Sequence, residues 1–303
     1  MIQINRICTE QRNPSTMHID EAESAEILRL MNEEDKNVAL AVEAVLPQIT
    51  KAVDVIAAAL HDGGRLIYCG CGTSGRLGVL DAVECPPTFG TDPGLIRALI
   101  AGGDRAFVSA VEGAEDNRQW GAEDLSEIGF CKHDVLVGIA ASGRTPYVMG
   151  AMEFAKKQGA AVIAVTCCPG SEVDRFADIG IAPAPGPEVV TGSTRLKSGT
   201  AQKMVLNMLS TASMIKLGKV YENLMVDVRA TNEKLVERAV SIVRSATGSD
   251  DETAREALSA CGFSAKTAIL MLLCHIDAAS AEETLSKADG RISRAVQLRR
   301  LGA

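Results

Sequence analysis

Apolar residues recur at two spacings along the chain, and each spacing predicts a different kind of element. In 21–31 and 46–60 they follow helical spacing, and the acidic segment 32–36 separates these two predicted helices. Four later runs are short, apolar and rich in β-branched residues, with glycine or polar residues at their ends: 65–69, 99–101, 134–140 and 160–166. Helical patterns separate these runs, for instance at 146–158, where Val148, Met152 and Ala155 point inward. The alternation predicts buried parallel strands in βα units, which is an α/β doubly wound sheet.

The last third of the chain is predicted to be helical. The segment 197–217 is a long predicted helix with one apolar stripe, formed by Ala201, Val205, Met208, Leu209, Ala212 and Ile215. Beyond residue 231 no strand pattern appears, and 249–252 and 280–283 both fit a capping box, with serine as the cap. We therefore expect an N-terminal helical segment (1–55), a central sheet domain (56–219) and a small C-terminal helical bundle (220–303).

Composition narrows the function classes. The chain has 303 residues, and its 47% hydrophobic and 23% charged residues describe a folded protein. Only 3% of the residues are aromatic, which disfavours base-stacking platforms, and the net charge of −8 has the wrong sign for binding nucleic acid through a global field. An anionic ligand must therefore find a locally basic site.

Targeting, metal and disulfide signals are weak. The longest strongly apolar run, 268–274, is far below the roughly 18 residues of a membrane span, and the start lacks the apolar core of a signal peptide. We expect a cytoplasmic protein without a membrane contact. None of the nine cysteines forms a CxxC pair, so we interpret them as reduced core residues and expect no metal site.

Two loops combine glycine with hydroxyl residues directly after predicted strands. The first, 70–76, contains Thr73 and Ser74 and leads into a helix, whose amino terminus favours an anion such as a phosphate. Its spacing also satisfies the GxGxxG pattern of dinucleotide-binding folds. The hydroxyl residues, and a helix that we expect to stop at Pro86-Pro87, favour phosphate alone.

The second loop, 140–146, repeats the arrangement with Ser142, Gly143, Arg144 and Thr145 before a proline at the helix start. Loops at the carboxyl ends of parallel strands face one crevice, so the two loops are predicted to bind one ligand. The plain alternative is that both are only tight βα turns.

A third element, 191–203, lies in a stretch from Val189 to Tyr221 that has five basic and no acidic residues. This stretch is either the local anion site or a solvated helix face.

Two carboxylates lie in unlike predicted surroundings. Glu84 is expected at the carboxyl end of a helix, where the dipole favours the protonated form, as suits a proton donor. Glu115 lies in the acidic loop 112–117 and, if a helix begins near Asp116, is stabilised as an anion, as suits a base. The alternative is that both are loop caps.

Six motifs in order closely resemble those of the N-acetylmuramic acid 6-phosphate etherases, across nearly the whole chain. They are Cys71-Gly-Thr-Ser-Gly-Arg-Leu-Gly78, Glu84-Cys-Pro-Pro87, Glu112-Gly-Ala-Glu-Asp-Asn117, Gly138-Ile-Ala-Ala-Ser-Gly-Arg-Thr-Pro-Tyr147, Val190-Thr-Gly-Ser-Thr-Arg-Leu-Lys-Ser-Gly-Thr-Ala-Gln-Lys203 and Asn223-Leu-Met-Val-Asp227. The central part is similar to sugar isomerase (SIS) domains, which implies a five-stranded parallel sheet that binds phosphosugars.

The resemblance implies a lyase that cleaves the D-lactyl ether of N-acetylmuramic acid 6-phosphate by elimination and then hydration, in cell-wall sugar recycling, without metal or other cofactor. It implies Glu84 as proton donor to the departing lactate and Glu115 as the second catalytic acid/base. The residues that match phosphosugar-binding loops are Thr73, Ser74, Ser142, Arg144 and Thr145. To these candidate binding residues we add Arg76, Glu112, Gly143, Arg195 and Lys197.

The resemblance also implies a homodimer. One departure from the family pattern is the pair Cys69 and Cys71, where etherases more commonly carry an aliphatic residue and alanine, and we expect altered packing rather than lost activity. The alternative function is a non-catalytic phosphosugar sensor of the glucokinase regulatory protein type. Such a regulator is expected to be longer, with a duplicated SIS module, whereas this chain has one set of loops.

Overall fold

The computed structural model describes residues 8–228 and 232–301, and it divides the chain into two units. Of these described residues, the first unit contains those up to Val83 together with Gly94–Ser210, and the second contains Glu84–Pro93 and those from Thr211 onward. The predicted boundaries near residues 55 and 219 remain a prediction.

The first unit is an α/β structure around one sheet. Its strands are β1 (Leu66–Gly70), β2 (Ile96–Ile100), β3 (Val135–Ala140), β4 (Ala161–Thr166) and β5 (Ile179–Ile181). Its helices, counting α3 and α8, which continue into the second unit, are α1 (Ser24–Glu43), α2 (Leu46–His61), α3 (Gly72–Phe89), α4 (Arg105–Val108), α5 (Arg118–Glu127), α6 (Pro146–Lys157), α7 (Glu172–Phe176) and α8 (Lys197–Lys216).

All five strands are parallel, in the order β2-β1-β3-β4-β5, which confirms the predicted doubly wound sheet. β1 and β3 are buried along their whole length, as their continuous apolar runs predict. On α6, Val148, Met152 and Ala155 are fully buried, as expected. The three-residue β5 has Gly180 at its centre and was not among the runs that the apolar pattern marked.

An ion pair joins the amino ends of β1 and β3. The backbone N–H, Nε and Nη2 of Arg65 all donate to the carboxylate of Asp134, at 2.9, 3.0 and 2.7 Å. Burial opposes ionisation of Asp134, but the Arg65 hydrogen bonds outweigh it and lower the pKa of the carboxyl. The contact fixes the register of the two strands that lead to the hydroxyl–glycine loops.

The second unit holds a short hairpin and a helical bundle. The hairpin pairs β6 (Val220–Tyr221) with β7 (Leu224–Met225), and the bundle contains α9 (Glu233–Thr247), α10 (Asp251–Ala260), α11 (Ala265–Cys274), α12 (Ala278–Lys287) and α13 (Ile292–Arg300). Its core is rich in alanine, leucine and isoleucine from all five helices. The predicted C-terminal bundle is therefore confirmed.

Four local predictions need correction, and the first two concern helix bounds. The acidic segment 32–36 lies inside α1, where Glu33 pairs with Lys36 one turn on. Helix α3 continues through Pro86 and Pro87 to Phe89: the prolines remove two N–H donors, but the Thr88 hydroxyl donates to the Glu84 carbonyl and the Gly90 N–H to the Pro86 carbonyl, so the helix ends two residues later.

The other two corrections concern caps and the apolar stripe of α8. Asp250 and Asp277, rather than the predicted serines, accept the capping hydrogen bonds of α10 and α12, since a carboxylate accepts strongly at a helix amino terminus. On α8, Ala201, Val205 and Leu209 are buried, but Ile215 is half-exposed and Met208 and Ala212 are only partly buried.

The cysteine interpretation is also wrong in part. The structure joins Cys8 to Cys168 by a disulfide across 160 residues of sequence, a contact that spacing along the chain does not reveal. Cys131 is exposed, whereas Cys69, Cys85 and Cys167 lie outside the disulfide and are buried, as core residues should be. Among the described residues, no single helix is long and apolar enough to cross a membrane, although α10 and α11, bent by 114° at the break between them, meet those criteria together.

Candidate active site

The two hydroxyl–glycine loops leave the sheet from neighbouring strands. Gly70, the last residue of β1, pairs with Ile139, the penultimate residue of β3. In this strand order the connections from β1 and β3 run to opposite sides, which opens a crevice between their carboxyl ends. The prediction that both loops share one edge of the sheet is confirmed.

The first loop is a close-packed turn that delivers the amino terminus of α3. A side chain at Gly70 would place its Cβ 2.8 Å from the Gly75 nitrogen, and one at Gly75 would lie 2.7 Å from Ile100 Cγ1. Helix α3 begins at Gly72, so Thr73 and Ser74 occupy its first turn. The positive end of the helix dipole therefore lies at the loop, as a phosphate site requires.

Two candidate residues of this loop are engaged with protein atoms. Ser74 is 7% exposed, and its hydroxyl donates to Gln202 Oε1 of α8 at 2.9 Å. The Arg76 guanidinium donates to the carbonyls of Ala106 and Phe107 in α4, both at 2.9 Å. Arg76 thereby ties α3 to the segment that leads into the acidic loop.

The second loop presents hydroxyls at the amino terminus of α6. Ser142 is partly buried, Arg144 is exposed, and Thr145 is the N-cap of α6 without a capping hydrogen bond from its side chain. Pro146 at the first helical position has no N–H to satisfy. The start of α6 is thus free of a side-chain cap from Thr145, which suits an external anion.

Gly143 is required by its surroundings. Its φ is +66°, and a Cβ there would lie 1.9 Å from Ser171 Oγ and 2.4 Å from Ser171 Cβ. We expect Gly143→Ala to lower the free energy of unfolding by about 2 kcal/mol or more, since left-handed strain and a collision add together. Denaturant unfolding measures the change.

The matched control for this substitution is Gly113→Ala. Gly113 has a similar φ of +72° but nothing within 4 Å of an added Cβ. That variant should lose only the conformational part, about 1 kcal/mol. Equal losses in the two variants would contradict the role of the Ser171 contact.

The acidic loop lies beside the first hydroxyl–glycine loop. Burial has the largest effect on the pKa of the Cys71 thiol. Together with the negative charges of Glu115 and, more weakly, Asp116, it raises the pKa of Cys71 to about 11, while the positive charge of Arg76 opposes this shift. The structure therefore brings Glu115 and Arg76 together around Cys71. Glu112 is exposed in the same loop.

The helix start near Glu115 differs from the expectation. Ala114–Asp116 is a separate 3₁₀ turn, and α5 begins at Arg118, where the Asn117 side chain accepts from the backbone N–H groups of Gln119 and Trp120. Because Asn117 takes the capping position, the expected anion stabilisation of Glu115 by the helix start does not come from direct capping.

Glu84 lies in the second unit and is exposed on α3. It does not end the helix as expected, because α3 continues to Phe89. Its backbone carbonyl accepts a 2.8 Å hydrogen bond from the Thr88 hydroxyl. The pairing of Glu84 with Glu115 as acid and base stays a prediction.

The third predicted element, the basic stretch, is compensated by acidic residues from elsewhere in the chain. Lys197 is 1% exposed, and its Nζ lies 2.5 Å from Glu34 Oε2 of α1. Burial opposes ionisation of Glu34, but hydrogen bonds, first that from Lys197, outweigh it and lower its pKa. Lys219, in the second unit, pairs with Asp227. Arg195 remains exposed.

A carboxylate of the protein also occupies the amino terminus of α8. Glu188 is fully buried and accepts from the backbone N–H groups of Lys197 and Ser198 at 2.9 Å and from the Ser198 hydroxyl at 2.8 Å. Protein carboxylates therefore already occupy the start of α8 and pair with the Lys197 ammonium, which corrects the expectation of an open anion site at these two places. The two loops after β1 and β3 remain the places for a phosphate.

Comparison with known proteins agrees with this geometry. A family model described as the glucokinase regulatory protein N-terminal SIS domain matches residues 48–156, and the SIS domain model matches residues 130–212. The model of the C-terminal lid domain of glucokinase regulatory protein matches residues 222–267. A phosphoheptose isomerase from Francisella tularensis, 21% identical, superposes with a TM-score of 0.50 over 64% of this chain and all of that chain. Its likeness shows the fold, which is that of the SIS domains.

Relatives that match almost end to end define the family more narrowly. An N-acetylmuramic acid 6-phosphate etherase from Klebsiella aerogenes is 57% identical over 97% of this chain and 98% of its own. N-acetylmuramic acid 6-phosphate etherase 2 from Vibrio cholerae is 58% identical over 97% of this chain and 96% of its own. The chain belongs to the N-acetylmuramic acid 6-phosphate etherase family.

Sequence reasoning overlooked several residues that shape the site. Glu34 pairs with Lys197, Glu188 caps the start of α8, and Gln202 holds Ser74. Each contact joins residues from distant parts of the chain or from different elements, so no local spacing signals it. Among the described residues, no group of three or more histidine, cysteine, aspartate or glutamate side chains is placed to hold a metal ion.

Proposed function

We propose that the protein cleaves the D-lactyl ether of N-acetylmuramic acid 6-phosphate to N-acetylglucosamine 6-phosphate and D-lactate, in cell-wall amino sugar recycling. The observation that carries the proposal is the neighbouring placement of the two hydroxyl–glycine loops, with Glu115 beside the first of them. Two relatives that match almost end to end, at 57% and 58% identity, are named N-acetylmuramic acid 6-phosphate etherases, which supports the same conclusion.

In this proposal the loops hold the phosphate and the carboxylates move protons. The aldehyde of the open-chain sugar acidifies the C2 proton, which a carboxylate abstracts. The C3–O bond then breaks, and lactate leaves with its ether oxygen and a proton from Glu84. Water adds to C3 of the unsaturated aldehyde while C2 regains a proton. Glu115 serves as the second acid/base, at C2 or on the water.

Isotope labelling tests this sequence of steps. In deuterated, ¹⁸O-labelled water the expected products are D-lactate with unlabelled ether oxygen and N-acetylglucosamine 6-phosphate with deuterium at C2 and ¹⁸O at C3. Appearance of ¹⁸O on lactate C2 would contradict cleavage of the sugar C3–O bond. A protein that binds the substrate and releases no D-lactate would instead be a sensor of the glucokinase regulatory protein type.

The second loop should act on the phosphate in particular. We expect Ser142→Ala to raise KM for N-acetylmuramic acid 6-phosphate about tenfold or more, because a hydrogen bond to a charged oxygen is lost, and to change little for the unphosphorylated sugar. Steady-state D-lactate release with both sugars measures this. Ser126→Ala, on the exposed side of α5, is the control, and equal effects of Ser142→Ala on both sugars would remove the phosphate role.

A homodimer and a cytoplasmic location are part of the proposal. In α1, Val38 and Val42 are buried, while Leu28 and Leu40 are 65% and 62% exposed and are single apolar side chains that a second copy of the chain would cover. The phosphorylated substrate suits the cytoplasm. Disulfides are rare in the cytoplasm, so the Cys8–Cys168 disulfide argues against a cytoplasmic location.

A further inference from the structure

Helix α8 lies directly against the first hydroxyl–glycine loop. A Cβ added at Gly199 would lie 3.4 Å from Thr73 Cγ2, and Gln202, one turn further on, accepts the hydroxyl proton of Ser74. Gln202 is 1% exposed, and its Nε2 is buried with no hydrogen-bond partner. A buried amide NH₂ without an acceptor is costly, so this side chain calls for an explanation.

The protons on these two side chains can be counted. The Ser74 hydroxyl has one proton and accepting lone pairs, and here the proton goes to Gln202 Oε1. In that arrangement Ser74 has no proton left for a phosphate oxygen. If the amide is reversed, Nε2 donates to Ser74 Oγ and the Ser74 proton becomes free, with the heavy atoms almost unmoved.

We propose that Gln202 is a positioning residue whose amide reverses when phosphate binds, forming the chain Nε2–H to Ser74 Oγ and Ser74 O–H to a phosphate oxygen. The inference rests on the proposed function, because it takes the 6-phosphate of the sugar as the anion at this loop. The reversal gives Nε2 an acceptor in Ser74 Oγ, and Oε1 takes the position that Nε2 held. Gln202 acts through Ser74 and does not touch the substrate.

Two nearly isosteric variants separate donation from packing. Gln202→Glu presents only acceptor oxygens to Ser74, so the Ser74 proton stays hydrogen-bonded to residue 202 and does not reach the phosphate. We therefore expect KM for N-acetylmuramic acid 6-phosphate to rise about thirtyfold. The methionine of Gln202→Met neither donates nor accepts a hydrogen bond, so the Ser74 hydroxyl is available to the phosphate but is no longer held in position. A rise of about fivefold in the same KM is expected. For both variants the KM of the unphosphorylated sugar and kcat should change less than twofold, and inhibition by inorganic phosphate should weaken in parallel with KM.

A double-variant cycle tests whether Gln202 acts through Ser74. In a Ser74→Ala background, adding Gln202→Met should leave KM for the phosphorylated sugar unchanged within twofold, because the group that Gln202 positions is gone. Independent, multiplying effects would overturn the proposal. So would a Gln202→Glu variant that binds phosphate as well as wild type.

Controls keep this test separate from that of the overall function. Gln48→Glu makes the same change at an exposed position of α2 and should leave both KM values unaltered. Thermal unfolding of each variant identifies loss of folding, and Gln202→Met, which buries no charge, remains informative if Gln202→Glu does not fold. If wild type releases no D-lactate, the proposed function fails, whereas normal wild-type turnover with unaffected Gln202 variants sinks only the present inference.

Discussion

Replacing Glu115 by glutamine is expected to lower kcat/KM for D-lactate release by about 100-fold or more, equivalent to about 3 kcal/mol of transition-state stabilisation. The substitution keeps the size of the side chain and its exposed position in the 3₁₀ turn beside Cys71, but removes the group that accepts a proton. Glu84→Gln should lose a similar amount, because lactate would leave without its proton donor. Coupled detection of D-lactate measures both.

The neighbouring carboxylate supplies the matched control. Asp116 is exposed in the same 3₁₀ turn and also acts electrostatically on Cys71, so Asp116→Asn changes the local charge equally. We expect it to alter kcat/KM less than fivefold. D-lactate release at nearly wild-type rate by both glutamine variants would contradict the assignment of Glu84 and Glu115.

The second large effect concerns stability. Glu34→Gln should lower the free energy of unfolding by about 3–5 kcal/mol, because it leaves the Lys197 ammonium buried without a counter-charge. Denaturant unfolding followed by circular dichroism measures the change. Adding Lys197→Met to Glu34→Gln should recover part of the loss, since no uncompensated charge is then buried.

The control for this prediction lies one residue away. Glu33 pairs with Lys36 on the exposed surface of α1, and Glu33→Gln should cost under about 1 kcal/mol. The same experiment decides between two roles of Lys197. If Lys197→Met alone leaves stability unchanged and raises KM for the phosphorylated sugar, Lys197 holds the ligand and the structural role argued above is wrong.

Local patterns in the sequence were enough to predict most elements of the sheet. β1, β3 and β4 match their predicted runs to within one residue, because strands buried on both faces need unbroken apolar sequence. β5 was not predicted, because three residues with a glycine at their centre are too short to show an apolar strand pattern. The predicted serine caps were wrong because α10 and α12 begin directly after Asp250 and Asp277, whose carboxylates accept the capping hydrogen bonds, and Ser280 lies inside α12 as the donor to Asp277.

The chemistry of the two loops was also visible locally. Both glycine–hydroxyl loops directly follow predicted strands of one parallel sheet, so their placement at its carboxyl end could be predicted before the strand order was known. Electrostatic partners could not be predicted in this way. The stretch from Val189 to Tyr221 contains basic residues and no acidic ones. Its carboxylate partners lie elsewhere in the chain, so the local sequence does not reveal them.

The α/β class, the C-terminal bundle, the two candidate phosphate loops and, through its motifs, the family could all be inferred from the amino-acid order. These depend on periodicity and on short loops, which are encoded by residues near one another in the chain. The pairing of Lys197 with Glu34, the position of Glu188 at the start of α8 and the hydrogen bond from Ser74 to Gln202 become visible only in the folded molecule. Hydrogen bonds and ion pairs act over a few ångströms, so residues 163 or 128 positions apart become partners only after the chain has folded.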